Sequence, residues 1–258
     1  MEFTANCVRK HLAVLIIIIA HLGHTEAFGT SNYCSKGVCR DDAKKHIGCN
    51  SNRNFSPTCI KPALVPMSTK RKNLILMMHN RLRNFVASGS LSKFEPASNM
   101  SLMVWDDELA YLAELNVKQC KMKHDKCRST VKFKDAGQNL AYSWKSGSLN
   151  KHNQNIRQSI LGWFMEHKDA KMDHIRKYGR ATKTIGHFTA MVRDVSSHIG
   201  CAISTYDQTR KGFKGKSFLL ACNYANTNFI NKPIYTDGKP CSQCPRCHNI
   251  YKALCDYN

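Results

Sequence analysis

Helical spacing in the first part of the chain and paired alternation after Gly186 predict an α+β fold, with helices packed on an antiparallel sheet. Thirteen cysteines in 258 residues predict that disulfides frame it. The length suits one large domain with appendages. Apolar residues at 42% and aromatics at 9% are enough to bury a core. So many cysteines argue against a cytosolic enzyme, whose compartment keeps thiols reduced.

Residues 1–27 read as a secretory signal peptide. Arg9, Lys10 and His11 precede nine apolar residues at 12–20, and Ala27 ends a small-residue cleavage site. Nine residues fall far short of the roughly 20 needed to span a bilayer. Cleavage removes two basic and two acidic residues, so the net charge stays at +21. It also removes Cys7 and leaves twelve cysteines, an even number suited to disulfides in an oxidising compartment. A secreted, extracellular protein with no transmembrane segment is expected. Asn54-Phe-Ser and Asn99-Met-Ser are glycosylation sequons, the first weakened by Pro57 directly after it.

Residues 28–67 carry Cys34, Cys39, Cys49 and Cys59 with little periodicity and read as a cross-linked, loop-rich arm. The main domain is expected over 68–230. Ser68 caps a first helix with Leu74, Met78, Leu82, Phe85 and Val86 inward and Gly89 as its stop. A second helix starts at Asp106 and turns Leu109, Leu112, Ala113 and Val117 inward. A third, from about Asn155, carries Ile156, Ile160, Trp163, Phe164 and His167 on one side. Ile199, Cys201 and Ile203 alternate, as do Phe218, Leu220, Cys222 and Tyr224, around a turn at 209–216. The tail, 231–258, holds Cys241, Cys244, Cys247 and Cys255 and is too short for a core of its own.

Six segments in order resemble the CAP superfamily of cysteine-rich secretory, antigen 5 and pathogenesis-related proteins. They are His79-Asn-Arg-Leu-Arg83, Trp105-Asp-Asp-Glu-Leu-Ala110, Gly137-Gln-Asn-Leu140, Trp163-Phe-Met-Glu166, Gly186-His-Phe-Thr-Ala-Met-Val192 and Leu219-Leu-Ala-Cys-Asn-Tyr224. The four-cysteine arm is similar to that of the insect venom antigen 5 branch. The resemblance implies a three-layer α-β-α sandwich and a cleft tetrad of His79, Gln138, Glu166 and His187. It also implies disulfides Cys34–Cys49, Cys39–Cys127, Cys59–Cys120 and Cys201–Cys222, with the last four cysteines paired among themselves. The chain departs from the family pattern at several positions. Gln138 is an amide where many members have a carboxylate, Arg193 replaces a usual Trp, Ala190 replaces a usual Gln, and the loop after Tyr224 is one residue shorter.

His79, Glu166 and His187 could ligate zinc, weakly at best because Gln138 is neutral, or serve a metal-dependent hydrolase. They serve equally as a hydrogen-bonded brace between helices and sheet. Neither G-x-S-x-G nor H-E-x-x-H occurs. A non-enzymatic protein that requires no cofactor is therefore expected. In a secreted chain the tail cysteines point to disulfides rather than a zinc knuckle or haem attachment.

Basic residues cluster at 121–134, 168–183 and 210–216. A charge of +21 outside the cell favours sulfated glycans, anionic lipids or acidic surface proteins over nucleic acid as partners. By resemblance, a sterol or fatty acid is a further candidate, with Met77, Met78, Phe85, Phe164 and Met165 lining a groove. A helical apolar stripe normally faces a core instead. The resemblance implies action in an extracellular fluid: venom or saliva, seminal fluid or haemolymph.

Overall fold

The computed structural model describes residues 32–40, 45–147, 149 and 151–257. The signal-peptide segment lies outside them. Strand β1 (Ile60–Leu64) leads into α1 (Thr69–Ala87), then β2 (Val104–Trp105), α2 (Asp107–Val117), β3 (Gly137–Ser146) and α3 (His152–Met165). Two short helices, α4 (Met172–Arg176) and α5 (Gly186–Val192), precede the hairpin β4 (His198–Arg210) and β5 (Phe213–Tyr224). The sheet runs β1-β4-β5-β3, antiparallel throughout, and β2 adds parallel to β4.

Alternation along β4 and β5 divides two cores. Ile199, Cys201, Ile203, Phe218, Leu220, Cys222 and Tyr224 pack against α1, α3 and α5. Ala202, Tyr206, Leu219 and Ala221, with Leu140, pack against Ala113 and Val117 of α2. Helices thus cover both faces of the sheet, giving three layers. Gly200 makes the α2 contact possible, since a Cβ there would sit 2.1 Å from the Ala110 nitrogen.

Asp106 caps α2 by accepting from the Leu109 N–H at 2.8 Å. Ser68 starts α1 in extended conformation but makes no side-chain cap. The hairpin turn is tighter than expected. Lys211 and Gly212, both at positive φ, suffice to reverse the chain. β1 falls inside the segment read as loop, where Pro62 is tolerated because the strand lies at the sheet edge beside a register shift.

Of the residues considered for a lipid groove, Met78 and Phe164 are buried in the core, while Phe85 and Met165 are exposed. Phe85 is therefore not the core residue its spacing predicted. The tail is not held by cross-links alone, for Ile234, Tyr235, Ala253 and Leu254 enter the main core. No helix among the described residues is long and apolar enough to cross a membrane.

Five disulfides form among the described residues: Cys34–Cys49, Cys39–Cys127, Cys59–Cys120, Cys201–Cys222 and Cys244–Cys255. The expected pairing of all four tail cysteines is corrected, because Cys241 and Cys247 are free thiols. The Cys241 Sγ lies 3.4 Å from the Lys252 carbonyl and 3.6 Å from that of Leu254. Burial and the neighbouring Cys247 thiol push its pKa up to about 12.

Candidate functional site

His79 lies on the buried stripe of α1 with Ile75, Arg83 and Val86. Its Nδ1–H donates to the Ile75 carbonyl at 2.8 Å, and its Nε2 accepts from the Tyr224 hydroxyl at 3.0 Å. That hydroxyl in turn accepts from Asn139 Nδ2 at 3.1 Å. Burial holds the imidazole pKa down to about 4, so the ring is neutral and both nitrogens are occupied. His79 joins α1 to the sheet and does not line an open cleft.

Glu166 and His187 do meet. Glu166 opens a short 3-10 turn at the end of α3, and His187 is the second residue of α5. Glu166 Oε1 lies 2.6 Å from His187 Nδ1, while Oε2 accepts the backbone N–H groups of His187 at 2.8 Å and Phe188 at 3.2 Å. The carboxylate thus satisfies two amides at the start of α5 and orients the imidazole, which stacks on Trp163.

Gln138 belongs to a different group. It shares the α2 face of β3 with Leu140, whereas Asn139 points the other way and donates to the His187 carbonyl at 3.0 Å. Gln138 Oε1 accepts from His124 Nδ1 at 2.8 Å. Its Nε2 donates to Asp125 Oδ2 at 2.8 Å and Asn223 Oδ1 at 2.9 Å. An amide suits this place because a carboxylate could not donate. Gln138→Glu would set a second carboxylate against Asp125 and raise one carboxyl pKa in the folded state. The variant is expected to lose about 1–3 kcal/mol at pH 7 and to recover part of it near pH 5, where the raised carboxyl takes up a proton. Denaturant midpoints at both pH values check this.

His124 was missed by sequence reasoning. It is exposed, on the loop between Cys120 and Cys127 and off any periodic face. Its place between two cysteines that anchor their loop was the one available signal.

The tetrad expected from sequence therefore does not assemble as one set. No group of three or more His, Cys, Asp or Glu side chains placed to hold a metal occurs among the described residues. A zinc centre takes three or four protein ligands. His79 is sealed in the core, Gln138 is neutral and engaged, and both Glu166 oxygens already accept hydrogen bonds. The proposed set His79, Glu166 and His187 does not fit the ion.

Positive charge is the other feature of the surface. Arg40 pairs with Asp135 at 2.6 Å and Arg128 with Asp125 at 2.7 Å. Lys126, Lys134, Lys211 and Lys214 have no ion-pair partner among the described residues. Of the two sequon asparagines, Asn54 is exposed, and Asn99 is half-buried with its Oδ1 accepting from the Tyr257 hydroxyl.

The sequence profile of the cysteine-rich secretory protein family, CAP, matches residues 76–224. Antigen 5 like allergen Cul n 1 of Culicoides nubeculosus is 50% identical over 184 residues, 67% of this chain and 83% of that protein. Venom allergen-1 of Aedes albopictus is 37% identical over 248 residues, 95% of this chain and 93% of that one. Among solved structures, NaASP2 with Zn2+ superposes with a TM-score of 0.60 at 26% identity, covering 79% of this chain and all of that one.

Proposed function

The chain belongs to the cysteine-rich secretory protein family, CAP, and on that footing we propose that it is a secreted, non-catalytic protein that binds an anionic extracellular partner. A sulfated glycan chain is the partner best matched to its charge. The observation that carries this reading is a net charge of +21, with most surface lysines lacking a carboxylate partner among the described residues. Such a surface attracts polyanions over a distance of about 8 Å at physiological salt.

The cleft supports a bracing role. His79 is neutral and enclosed, and Glu166 serves the first turn of α5. A zinc ion accompanies NaASP2, but no comparable donor set is assembled among the described residues here.

Purified protein is expected to bind immobilised heparin at 0.15 M salt and to lose at least about tenfold in affinity at 0.5 M. Peptidase and esterase screens, with and without added zinc, are expected to show no turnover. Turnover that depends on zinc and disappears in His187→Ala would replace this reading with a metal-dependent hydrolase. Salt-insensitive retention of a sterol or fatty acid would replace it with lipid carriage.

A further inference from the structure

The binding reading leaves open where on a cationic surface a polyanion is held. One cavity concentrates the charge. It has a volume of about 340 Å³, near the lower end of the roughly 300–1,000 Å³ range of small-molecule sites. Among the described residues, Arg40 and Lys45 of the arm, Lys126, Arg128 and Lys134 of the loop that follows Cys120, and one carboxylate, Asp135, line it. Asp41 and Asp42, next to Arg40 in sequence, lie outside the described residues.

The cationic groups are not equivalent. Arg40 and Arg128 are paired with Asp135 and Asp125, and Arg128 also donates to the Asp125 and Ala136 carbonyls. Lys45, Lys126 and Lys134 are exposed and have no carboxylate partner among the described residues. Phe229 closes one side of the cavity, and two guanidinium groups lie over its ring, Arg40 at 5.0 Å and Arg193 at 5.5 Å. The Arg193 Nε is buried without a hydrogen-bond partner, as is Oδ1 of the cavity residue Asn228. The Cys39–Cys127 bridge joins the arm to the loop at the cavity wall, so the two sources of charge are held in one place.

We propose that this cavity is an oxyanion subsite that takes a sulfate group of a sulfated glycan chain, with Lys126 and Lys134 as its main contacts. The inference rests on the binding reading above and adds a location to it. A concave site lined by exposed ammonium groups and carboxylate-paired guanidinium groups suits a tetrahedral anion that projects from a chain. A lipid surface would need a flat or convex basic face instead.

The test compares two variants of equal charge change. Lys126→Glu/Lys134→Glu alters the cavity, and Lys211→Glu/Lys214→Glu alters the turn between β4 and β5. The probe is a heparin-derived hexasaccharide, titrated at 0.15 M salt. The cavity variant is expected to lose about thirtyfold in affinity and the turn variant less than about threefold. Lys126→Gln/Lys134→Gln, which adds no acid, is expected to lose about tenfold and guards against a folding defect. Inorganic sulfate is expected to displace the hexasaccharide better than chloride at equal ionic strength.

Equal losses in both charge-reversal variants, or equal displacement by sulfate and chloride, would overturn the subsite while leaving the wider reading in place. No binding by the unaltered protein would remove both.

Discussion

Arg83→Met is expected to destabilise the protein by about 3–5 kcal/mol. Arg83 is fully buried on α1, and all five of its N–H donors are engaged. Nε and Nη2 donate to the Ser101 carbonyl at 3.1 and 2.7 Å. Nη1 donates to the carbonyls of Met191 and Arg193, both at 2.8 Å, and Nη2 also reaches that of Asp194 at 3.2 Å. One planar group thus ties α1 to the segment before β2 and to the end of α5. Methionine fills similar space but leaves the buried Ser101 and Met191 carbonyls without a donor, which carries their full desolvation penalty, while the carbonyls of Arg193 and Asp194 keep the backbone N–H groups of Ser196 and Ser101. Lysine offers three donors from a single point and is expected to recover less than half of the loss. Chemical denaturation checks both. A loss below about 1 kcal/mol for Arg83→Met would show that the carbonyls find other partners.

Removing the Cys39–Cys127 bridge is the second large change. Its cysteines lie 88 residues apart, but Cys59–Cys120 closes most of that loop independently. With the Cys34–Cys49 bridge also in place, the effective loop shortens to roughly 24 residues, and chain entropy assigns the bridge about 3.5 kcal/mol rather than the nearly 5 kcal/mol of an open loop. Cys39→Ser/Cys127→Ser is expected to lower stability by about that amount. The cavity beside the bridge is expected to suffer with it, because Arg40 and Lys126 are chain neighbours of the two cysteines. A fall in stability near 5 kcal/mol would mean that the bridges act independently. Unchanged hexasaccharide affinity would mean that the arm does not depend on the bridge for its place.

Much of the fold was legible because its elements follow local rules. Asp106 announces α2 as a cap, and the alternation of Ile199–Cys201–Ile203 against Leu220–Cys222–Tyr224 announces the hairpin. β3 was legible only by family resemblance, since Gly137, Gln138 and Asn139 show no alternation of apolar and polar residues. That strand buries polar groups on both faces, and hydrogen bonds rather than hydrophobicity choose them. β1 was hidden by Pro62 and by a mostly exposed pattern.

The site was less legible, for two physical reasons. His79 has the residue type of a ligand but sits on the same stripe as Ile75, Arg83 and Val86, so helical geometry points it inward. That stripe was readable and argued for burial. His124 has the opposite character. It lies on an irregular loop, where no periodicity connects it to Gln138 on β3, and only the folded chain brings the two within 2.8 Å. The cavity shares that difficulty, since its lysines come from segments far apart in sequence and joined by a disulfide.

A single comparison bears on whether the molecule acts by surface binding, with Glu166 and His187 as a brace. The affinity of His187→Ala for the heparin-derived hexasaccharide, measured beside the unaltered protein at the same salt, is predicted to stay within about twofold, since His187 lies among neither the cavity cations nor the unpaired lysines. A loss of tenfold or more in a variant that remains folded would place the binding event in the cleft and contradict the account.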